Sequence, residues 1–304
     1  MIKSKPGILV TGSNGMVGHH LVLALLDLDY KVIGLDPKPY LKKIKNYIHL
    51  KNFNLDLDDF LLLFKKYNIV KVVHAGGVSG PMLYSDEPYK IIENNVFFTI
   101  KLVEACRVYK KIKKIVYCSS IAAYGNLKKR NTSEEYKFAP NTMYGASKAS
   151  SDIILENFYK DYGMDIISLR FSVIYGPKRK TNSHIKDMIN AAINHEKLYL
   201  PLKSNLCWPY IYIDDVISAI IKSLHHKDTH TFSYNVTGPD FPSYQNIFEI
   251  IKSFYCNFEV EFSKKNSFEK LEFFNIEKIN NDIGWKPSFN IKKGVIKYIE
   301  YFDN

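Results

Sequence analysis

The chain has 304 residues, of which 46% are hydrophobic and 24% charged, and its formal net charge is +11. It has no apolar run of the roughly 20 residues that a membrane span needs, and it begins without the apolar stretch of a secretory signal, so we expect no membrane partner. Lysine supplies nearly all of the positive charge and arginine is rare, which argues against a nucleic-acid partner.

The first predicted elements are a buried strand over residues 8–11 and a helix over 19–28, joined by a glycine-rich turn. Gly12 would permit the turn, Gly15 would let the backbone approach a pyrophosphate, and Gly18 would let the helix pack on the strand. Free N–H groups and the helix dipole would then bind the phosphates of a dinucleotide. A purely structural turn is the alternative. The predicted cofactor contacts are Gly12, Ser13, Asn14, Gly15, Met16, Val17 and Gly18.

Asp36 follows a second apolar strand, predicted over residues 31–35. It lies at roughly the distance beyond the glycines at which an acid binds the adenosine ribose hydroxyls. A carboxylate there accepts hydrogen bonds from the ribose and repels a 2′-phosphate. We therefore predict NAD rather than NADP as the cofactor, although Lys38 could weaken that preference.

His74 ends an apolar strand and is followed by two glycines. A catalytic or metal-binding role is conceivable, but a packed, hydrogen-bonded histidine is the preferred interpretation.

We predict that Tyr144 and Lys148 form a proton-transfer pair. Tyr-x-x-x-Lys also occurs elsewhere, for example at Tyr199, but only Tyr144 opens a predicted helix and follows a strand, residues 114–120, that ends in two serines. Residues four apart share a helix face, so the Lys148 ammonium should lower the pKa of the Tyr144 phenol. Ser120 would orient the substrate oxygen.

With these motifs the chain resembles the extended short-chain dehydrogenase/reductase family, particularly its sugar-nucleotide epimerases. The resemblance continues through residues 54–57, 73–77, 169–177, 210–216 and 283–287. It implies an α/β fold, a Rossmann-type doubly wound parallel sheet with a smaller C-terminal α/β lobe. Residues 1–172, with about 209–237, would bind NAD. Residues 173–208 and 238–304, here called the C-terminal lobe, would bind substrate.

The resemblance also assigns roles to individual residues. It implies that Ser120, Tyr144 and Lys148 are catalytic. Further cofactor contacts would be Asp36, Asp56, Leu57, His74, Ala75, Gly76, Asn95, Cys118, Ser119, Tyr144, Lys148, Phe171 and Val173. Substrate contacts would be Ser79, Gly80, Ser120, Tyr144, Lys178 and Arg179, the last two in a basic cluster that could hold an anionic group or simply be solvated. Asn95 is expected to open a helix.

The sequence departs from the family pattern at two places near the substrate. Val173 stands where many relatives have Asn, and Trp208-Pro209 stands where they have Arg-Asp; those polar residues usually contact the nucleotide diphosphate. Family dehydratases and decarboxylases have an acid directly after the catalytic hydroxyl, whereas Ile121 follows Ser120 here. Both of those reactions are therefore disfavoured.

Three functions remain. The leading hypothesis is an NAD-dependent sugar-nucleotide epimerase or related sugar-modifying oxidoreductase. The second, favoured by Val173 and Trp208, is a net dehydrogenase or reductase of a small polyol, sugar acid or amino-alcohol. The third is a catalytically silent NAD-binding regulatory protein, which the intact Ser120, Tyr144 and Lys148 set disfavours.

The cysteines and the apolar helices predict the cellular compartment and the oligomeric state. The four cysteines lack metal-ligand spacing, which predicts no metal site and reduced thiols in a cytoplasmic protein. The helices predicted around 95–110 and 144–162 are apolar on more than one face, and helices with spare apolar surface must bury it. We expect an isologous homodimer whose interface includes Ile100, Val103 and Ile154.

Overall fold

The computed structural model describes residues 5–39, 44–51, 54–127, 131–227, 231–264 and 273–303. Its central sheet has seven strands in the described part of the chain, all parallel. From one edge to the other they are β10 (Ser233–Val236), β6 (Ile166–Phe171), β5 (Lys114–Ser120), β4 (Ile69–His74), β1 (Gly7–Thr11), β2 (Lys31–Leu35) and β3 (Tyr47–Leu50). This confirms the predicted doubly wound sheet, whose strand order reverses between β1 and β4.

Helices cover both faces of this sheet and form the outer layers of the C-terminal lobe. They are α1 (Met16–Asp27), α2 (Leu57–Tyr67), α3 (Pro88–Ile92), α4 (Phe98–Tyr109), α5 (Met143–Tyr162), α6 (His184–Ile193), α7 (Ile213–His225), α8 (Tyr244–Lys252), α9 (Glu277–Ile283) and α10 (Ile291–Asp303). No helix of the described residues is long and apolar enough to cross a membrane.

Two hydrophobic cores lie on opposite faces of the sheet because side chains alternate along each strand. Ile8 and Val10 pack with α1 and α7 on one face, whereas Leu9 packs with α2, α4 and α5 on the other. Strands buried on both faces read as continuous apolar runs, which is why β1 and β2 were recognisable in the sequence.

Two small parallel sheets lie outside the central sheet. One pairs β8 (Leu198–Leu200) with β11 (Val260–Phe262) inside the C-terminal lobe, and the other pairs β7 (Val173–Tyr175) of that lobe with β9 (Tyr210–Tyr212) of the predicted NAD-binding part. Trp285 is fully buried and donates from Nε1 to Ser218 Oγ on α7 at 2.8 Å. The last segment of the chain is thereby held against the helix layer of the central sheet.

The helical segment that contains Asn95 corrects one expectation. Asn95 does not open a helix: α3 begins at Pro88, a π-helical turn (Glu93–Phe97) follows, and α4 continues directly from it. Proline is favoured in the first turn of a helix because its missing N–H has no partner there anyway. Asn95 therefore lies inside a continuous helical segment, where a π turn often marks a functional position.

Candidate active site

The glycine turn lies at the carboxyl end of β1, where the strand order of the sheet reverses, and ligands of open α/β sheets bind at that point. Gly12 has φ +67° and donates to Leu35 O on β2 at 2.8 Å. A Cβ on Gly18 would lie 2.0 Å from Gly12 O. The turn therefore requires glycine at both positions, one for backbone conformation and one for close packing.

The residues present fit the pyrophosphate of a dinucleotide. Gly15 is the N-cap of α1 and offers no side chain to satisfy the free N–H groups of the first turn, which also contains no acidic residue. A Cβ on Gly15 would meet only Gly12 O, at 3.1 Å, so the backbone is open to close approach. Met16 and Val17 form the first turn, and its N–H groups would face the phosphates.

Asp36 directly follows β2 and is 6% exposed. Its carboxylate accepts hydrogen bonds from the backbone N–H of Asn14 at 3.0 Å and of Lys38 at 2.9 Å. It therefore fastens the glycine turn to the end of β2, and each carboxylate oxygen keeps a lone pair for a ribose hydroxyl. Ser13 is fully buried behind the turn and accepts from the Tyr47 hydroxyl at 3.3 Å.

Asp56 and Leu57 lie beyond β3, at the start of α2. Asp56 accepts from the N–H of Asp59 at 2.9 Å, and the Asp59 carboxylate accepts in return from the N–H of Asp56. This capping box explains the acid at position 56 without any ligand. Leu57 is 36% exposed, so its side chain is open to an adenine ring.

His74 is a packed histidine, as the sequence indicated. It is 1% exposed, with Thr11 Oγ1 2.6 Å from Nδ1 and Thr99 Oγ1 2.8 Å from Nε2. Burial, and then the charge of Lys148, lowers its pKa to about 3. The residues that follow it, Ala75 and Gly76, lie against the backbone of Gly12.

Asn95 connects the cofactor side of the site to the catalytic helix. Its Oδ1 accepts from Val78 N at 2.7 Å, and its Nδ2 donates to Val78 O at 3.2 Å and to Ser147 Oγ on α5 at 2.9 Å. The buried amide thus holds the loop that leads to Ser79 and Gly80, while Ser147 occupies the turn between Tyr144 and Lys148.

Ser120 and Tyr144 line the same cavity. Ser120 ends β5, and its hydroxyl accepts from Ala122 N at 3.2 Å. Thr142 caps α5 by accepting from Gly145 N at 3.0 Å, which begins the helix one residue before Tyr144. A hydroxyl and a phenol therefore converge where a substrate oxygen would bind.

Lys148 lies against β5. Its ammonium donates to the backbone carbonyl of Cys118 at 2.8 Å and lies 4.8 Å from the centre of the Tyr117 ring. Burial lowers the pKa of Lys148 to about 8. Burial also raises the pKa of Tyr144, although the Ser120 hydrogen bond and the charge of Arg179 oppose it. Lowering of the Tyr144 pKa by Lys148 therefore stays a prediction.

A cavity of about 440 Å³, here called the reaction cavity, opens beside Ser120 and Tyr144. It collects predicted residues from five separate parts of the chain. They include Ser79, Gly80, Ser119, Ser120, Tyr144, Phe171, Val173 and Arg179. Trp208, His184 and Leu202 also line it.

The basic cluster is divided between two places. Arg179 lines the reaction cavity, whereas Lys178 is exposed and is not among the residues that line it. Burial and the charges of Lys178, His20 and Lys180 lower the pKa of His19, on the first turns of α1, to about 4. Lys178 thus contributes positive charge on the cofactor side.

Sequence reasoning missed a buried polar network behind the catalytic residues. Asp152, on α5, accepts from Ser119 Oγ at 3.0 Å, from Arg170 Nε at 2.9 Å and from Ser168 Oγ at 2.5 Å. Arg170 also donates to the Tyr124 hydroxyl at 2.8 Å. The network fixes α5 against β5 and β6, so it holds Tyr144 opposite Ser120. Its signal was the acid one helical turn after Lys148, on the same face.

The same network reaches the C-terminal lobe. Arg170 donates to Glu134 O at 2.9 Å, and the Glu134 carboxylate accepts from Asn235 N at 2.7 Å. The Asn235 amide donates to Thr132 O at 3.1 Å and to Asn275 O at 3.4 Å. A continuous set of hydrogen bonds therefore joins the catalytic helix to both parts of the molecule.

Comparison with known proteins places this geometry in a family. The NAD dependent epimerase/dehydratase family matches residues 8–237. The chain is 31% identical to dTDP-D-glucose 4,6-dehydratase of Dictyostelium discoideum over 77% of its own length and 58% of that protein. It is 25% identical to UDP-glucuronate 4-epimerase 1 of Arabidopsis thaliana over 97% of its length and 76% of that protein.

A solved structure is similar over almost the whole chain. UDP-N-acetylglucosamine 4-epimerase from Methanobrevibacter ruminantium M1, in complex with UDP-N-acetylmuramic acid, superposes with a TM-score of 0.87 at 25% identity and covers 99% of both chains. The family match spans more than half of this chain and includes the glycine turn, Ser120, Tyr144 and Lys148. The chain therefore belongs to the NAD-dependent epimerase/dehydratase family, which confirms the resemblance and the NAD-dependent enzyme class predicted from its sequence.

Proposed function

We propose that this protein epimerises a carbinol carbon of a nucleotide sugar, with Tyr144 as the acid and base. One observation carries the proposal: Ser120 and Tyr144, from different elements, line the same cavity. Similar proteins named as epimerases act on UDP-sugars, and a dehydratase relative acts on a dTDP-sugar. These names support a nucleotide sugar as substrate class.

The residues of this chain would divide the work as follows. Gly12, Gly15 and the first turn of α1 would bind the pyrophosphate of NAD, and Asp36 would accept from the adenosine ribose. When bound, NAD supplies a reversible hydride acceptor. Lys148 would bind the nicotinamide ribose with the donors that the Cys118 carbonyl leaves free, because an ammonium has three.

Proton transfer falls to Tyr144. Its phenolate would take the proton of the substrate hydroxyl, and the phenol would return it after the sugar has exposed its other face. Ser120 would hold the same oxygen at a fixed distance, which is an orientation effect. Burial raises the pKa of Tyr144, so the phenolate would depend on nearby positive charge, which the nicotinamide ring of oxidised NAD supplies when bound.

A net dehydrogenase or reductase is the second candidate. It is supported by the apolar or weakly polar side chains of Val173 and Trp208, which line the cavity where nucleotide-sugar enzymes of the family have Asn and Arg. Dehydration and decarboxylation are not proposed, because Ile121, Ala122 and Ala123 supply no acid after Ser120.

Cofactor retention separates the two candidates. An epimerase should purify with NAD and interconvert its sugar without added cofactor, whereas a net dehydrogenase should reduce added NAD in proportion to product. The substrate can be found by a thermal-shift screen of UDP-, GDP-, CDP- and dTDP-sugars with NAD present, since a ligand at 100 times its Kd stabilises by about 2.7 kcal/mol. Absence of both activities with every ligand that binds would contradict the proposal.

We also propose a homodimer, with a changed interface. Val103 is 1% exposed and belongs to the core between α2, α4 and α5, so the expectation that it lies in an interface is wrong. Phe97 and Ile153 on the same helical segments are 44% and 51% exposed, and they replace it in the proposed contact. Ile100 and Ile154, which are partly exposed, remain in it.

A further inference from the structure

Lys148 is buried in surroundings that supply few partners for its charge. It is 7% exposed, and its ammonium donates to the carbonyl of Cys118 at 2.8 Å. Among the described residues no carboxylate forms an ion pair with Lys148. Asp152 lies one helical turn further along α5, but it is paired with Arg170 at 2.9 Å and acts on Lys148 only through its charge. Because burial favours the neutral amine, each remaining contact of the ammonium matters for its charge.

The Tyr117 ring is a second contact of this ammonium. Lys148 Nζ lies over the ring, 4.8 Å from its centre, and Tyr117 is 1% exposed. A cation over an aromatic face is attracted by the ring quadrupole, and more strongly where water is excluded. Every other lysine that lies over an aromatic ring in the described part of the chain is at least partly exposed. The contact between Tyr117 and Lys148 is thus the most strongly desolvated of its kind.

His74 packs against the Tyr117 ring from the neighbouring strand. The two residues are register partners on β4 and β5, and their ring centres are 5.5 Å apart with an angle of 36° between the planes. His74 is fixed in turn by the hydroxyls of Thr11 and Thr99 at its two nitrogens. Burial lowers the pKa of His74 to about 3, so it is neutral and places no second positive charge beside Lys148. A packed line of side chains therefore leads from the strand before the glycine turn to Lys148.

We propose that Tyr117 is a positioning residue, whose ring holds the Lys148 ammonium charged and in place for the nicotinamide ribose; this inference rests on the proposed function. Tyr117 is not among the described residues that line the reaction cavity, so it acts through Lys148. A charged ammonium donates stronger hydrogen bonds than a neutral amine, and its charge favours a nearby phenolate. Without the ring, a smaller fraction of the protein would have Lys148 charged at mildly alkaline pH.

The groups around Lys148 allow its protonation to be followed by itself. On β5, burial raises the pKa of the Cys118 thiol to about 12 and raises the pKa of the Tyr117 phenol well above its usual range. On α5, burial raises the pKa of Tyr144. On β4, His74 remains neutral, whereas burial lowers the pKa of Lys148 to about 8. A protonation step at mildly alkaline pH therefore reports on Lys148.

The release of NADH measures this step without any sugar. The protein is loaded with NADH, an excess of NAD is added, and the change in NADH fluorescence gives the dissociation rate constant from roughly pH 7 to pH 9.5. In the wild type we expect the rate constant to rise by roughly 5-fold as the ammonium loses its charge, because charged donors form stronger hydrogen bonds. Lys148→Met should release NADH faster at every pH and show no step.

Variants of Tyr117 separate the aromatic face from the packing. Tyr117→Phe keeps that face and should keep the midpoint of the step within about 0.2 pH units of wild type. Tyr117→Met fills the space without an aromatic face and should lower the midpoint by about 0.5–1 pH unit. Tyr67→Met is the matched control, because Lys66 lies 5.3 Å from the centre of the Tyr67 ring at the surface and the midpoint should not move.

Fluorination of the ring decides the question even if Tyr117→Met does not fold. Fluorine withdraws electron density from the aromatic face, so a difluorinated phenylalanine at position 117 should have a lower midpoint than Tyr117→Phe. Equal midpoints for these two proteins, equal midpoints for Tyr117→Phe and Tyr117→Met, or a wild-type rate constant without a step would each overturn the proposal. Failure of the proposed function would be seen separately, as inactivity toward every nucleotide sugar while NADH release still depends on Tyr117.

Discussion

The cofactor side and the substrate side of the site differ in how their polar groups are satisfied. Around the glycine turn, Asp36 accepts from two backbone N–H groups and His74 is bonded on both ring nitrogens. In the reaction cavity, by contrast, Arg179 Nε and Trp208 Nε1 are buried without partners. Satisfied buried networks are rigid, whereas unsatisfied donors are costly until a ligand supplies acceptors. We therefore expect the glycine turn and His74 to form the more rigid side of the site.

Tyr144→Phe should have the largest effect, and it tests whether the two sides can be separated. The change removes the acid and base but keeps the ring, so kcat should fall by roughly 10²- to 10⁴-fold while NAD affinity stays nearly unchanged. Steady-state kinetics and NAD titration measure the two quantities. Tyr199→Phe is the matched control, because Tyr199 also begins a Tyr-x-x-x-Lys sequence but is 60% exposed. Full activity in Tyr144→Phe would exclude the proposed mechanism.

Arg170→Met should be the next largest, because it breaks the network that joins the two sides. Asp152 is 1% exposed and would lose its charge partner, and removing one member of a buried ion pair costs about 3–5 kcal/mol of unfolding free energy. Urea titration measures the loss. Lys278→Met provides the control, since its exposed pair with Glu135 should contribute less than about 1 kcal/mol. Equal stabilities for the two variants would show that Arg170 does not hold the catalytic helix in place.

Features of the site that depend on short stretches of sequence could be predicted, whereas features that depend on packing could not. The glycine turn, Ser120 and the Tyr144–Lys148 spacing follow from local pattern, because each needs particular residues at short separations. The raised pKa of Tyr144 could not be predicted, since its largest cause is burial, which depends on how distant elements pack.

Long-range contacts account for the remaining errors and omissions. Val103 was assigned to an interface because an apolar helix face does not identify which element covers it. The role of Arg170 was missed because its partners, among them Asp152 and Glu134, lie on different elements. Its one visible sign was a charge inside an apolar strand.

A pH titration of stability tests how rigid the cofactor side is. The pKa of His74 falls from 6.5 to about 3 in the folded protein, so below pH 6.5 the unfolded chain gains a proton that the folded protein does not. The stability contributed by neutral His74 is therefore present above that pH and is lost as the pH falls. The expected loss is about 2 kcal/mol between about pH 7.5 and pH 5.

Substitution of His74 isolates this contribution. His74→Gln should flatten that part of the stability profile, whereas His195→Asn, at an exposed position with positive φ, should leave it unchanged. Thermal unfolding of the three proteins across the pH range supplies the comparison. A wild-type profile that His74→Gln does not alter would mean that His74 becomes protonated without opening the fold.

Asp36→Ala should have the smallest effect and sharpens the comparison within the cofactor side itself. Asp36 both fastens the turn, through Asn14 N, and is proposed to bind the ribose, so the variant should weaken NAD and NADP binding alike through the first role. Only the second role distinguishes the two cofactors, because it removes ribose hydrogen bonds and the repulsion of a 2′-phosphate. The shared loss cancels in the ratio of the Kd for NADP to the Kd for NAD. We expect this ratio to fall by roughly 10-fold in Asp36→Ala, or about 1.4 kcal/mol. Asp36→Asn keeps one acceptor oxygen without the charge and should lie between wild type and Asp36→Ala. If both variants keep the wild-type ratio, Asp36 does not contact the adenosine ribose and serves only to hold the glycine turn.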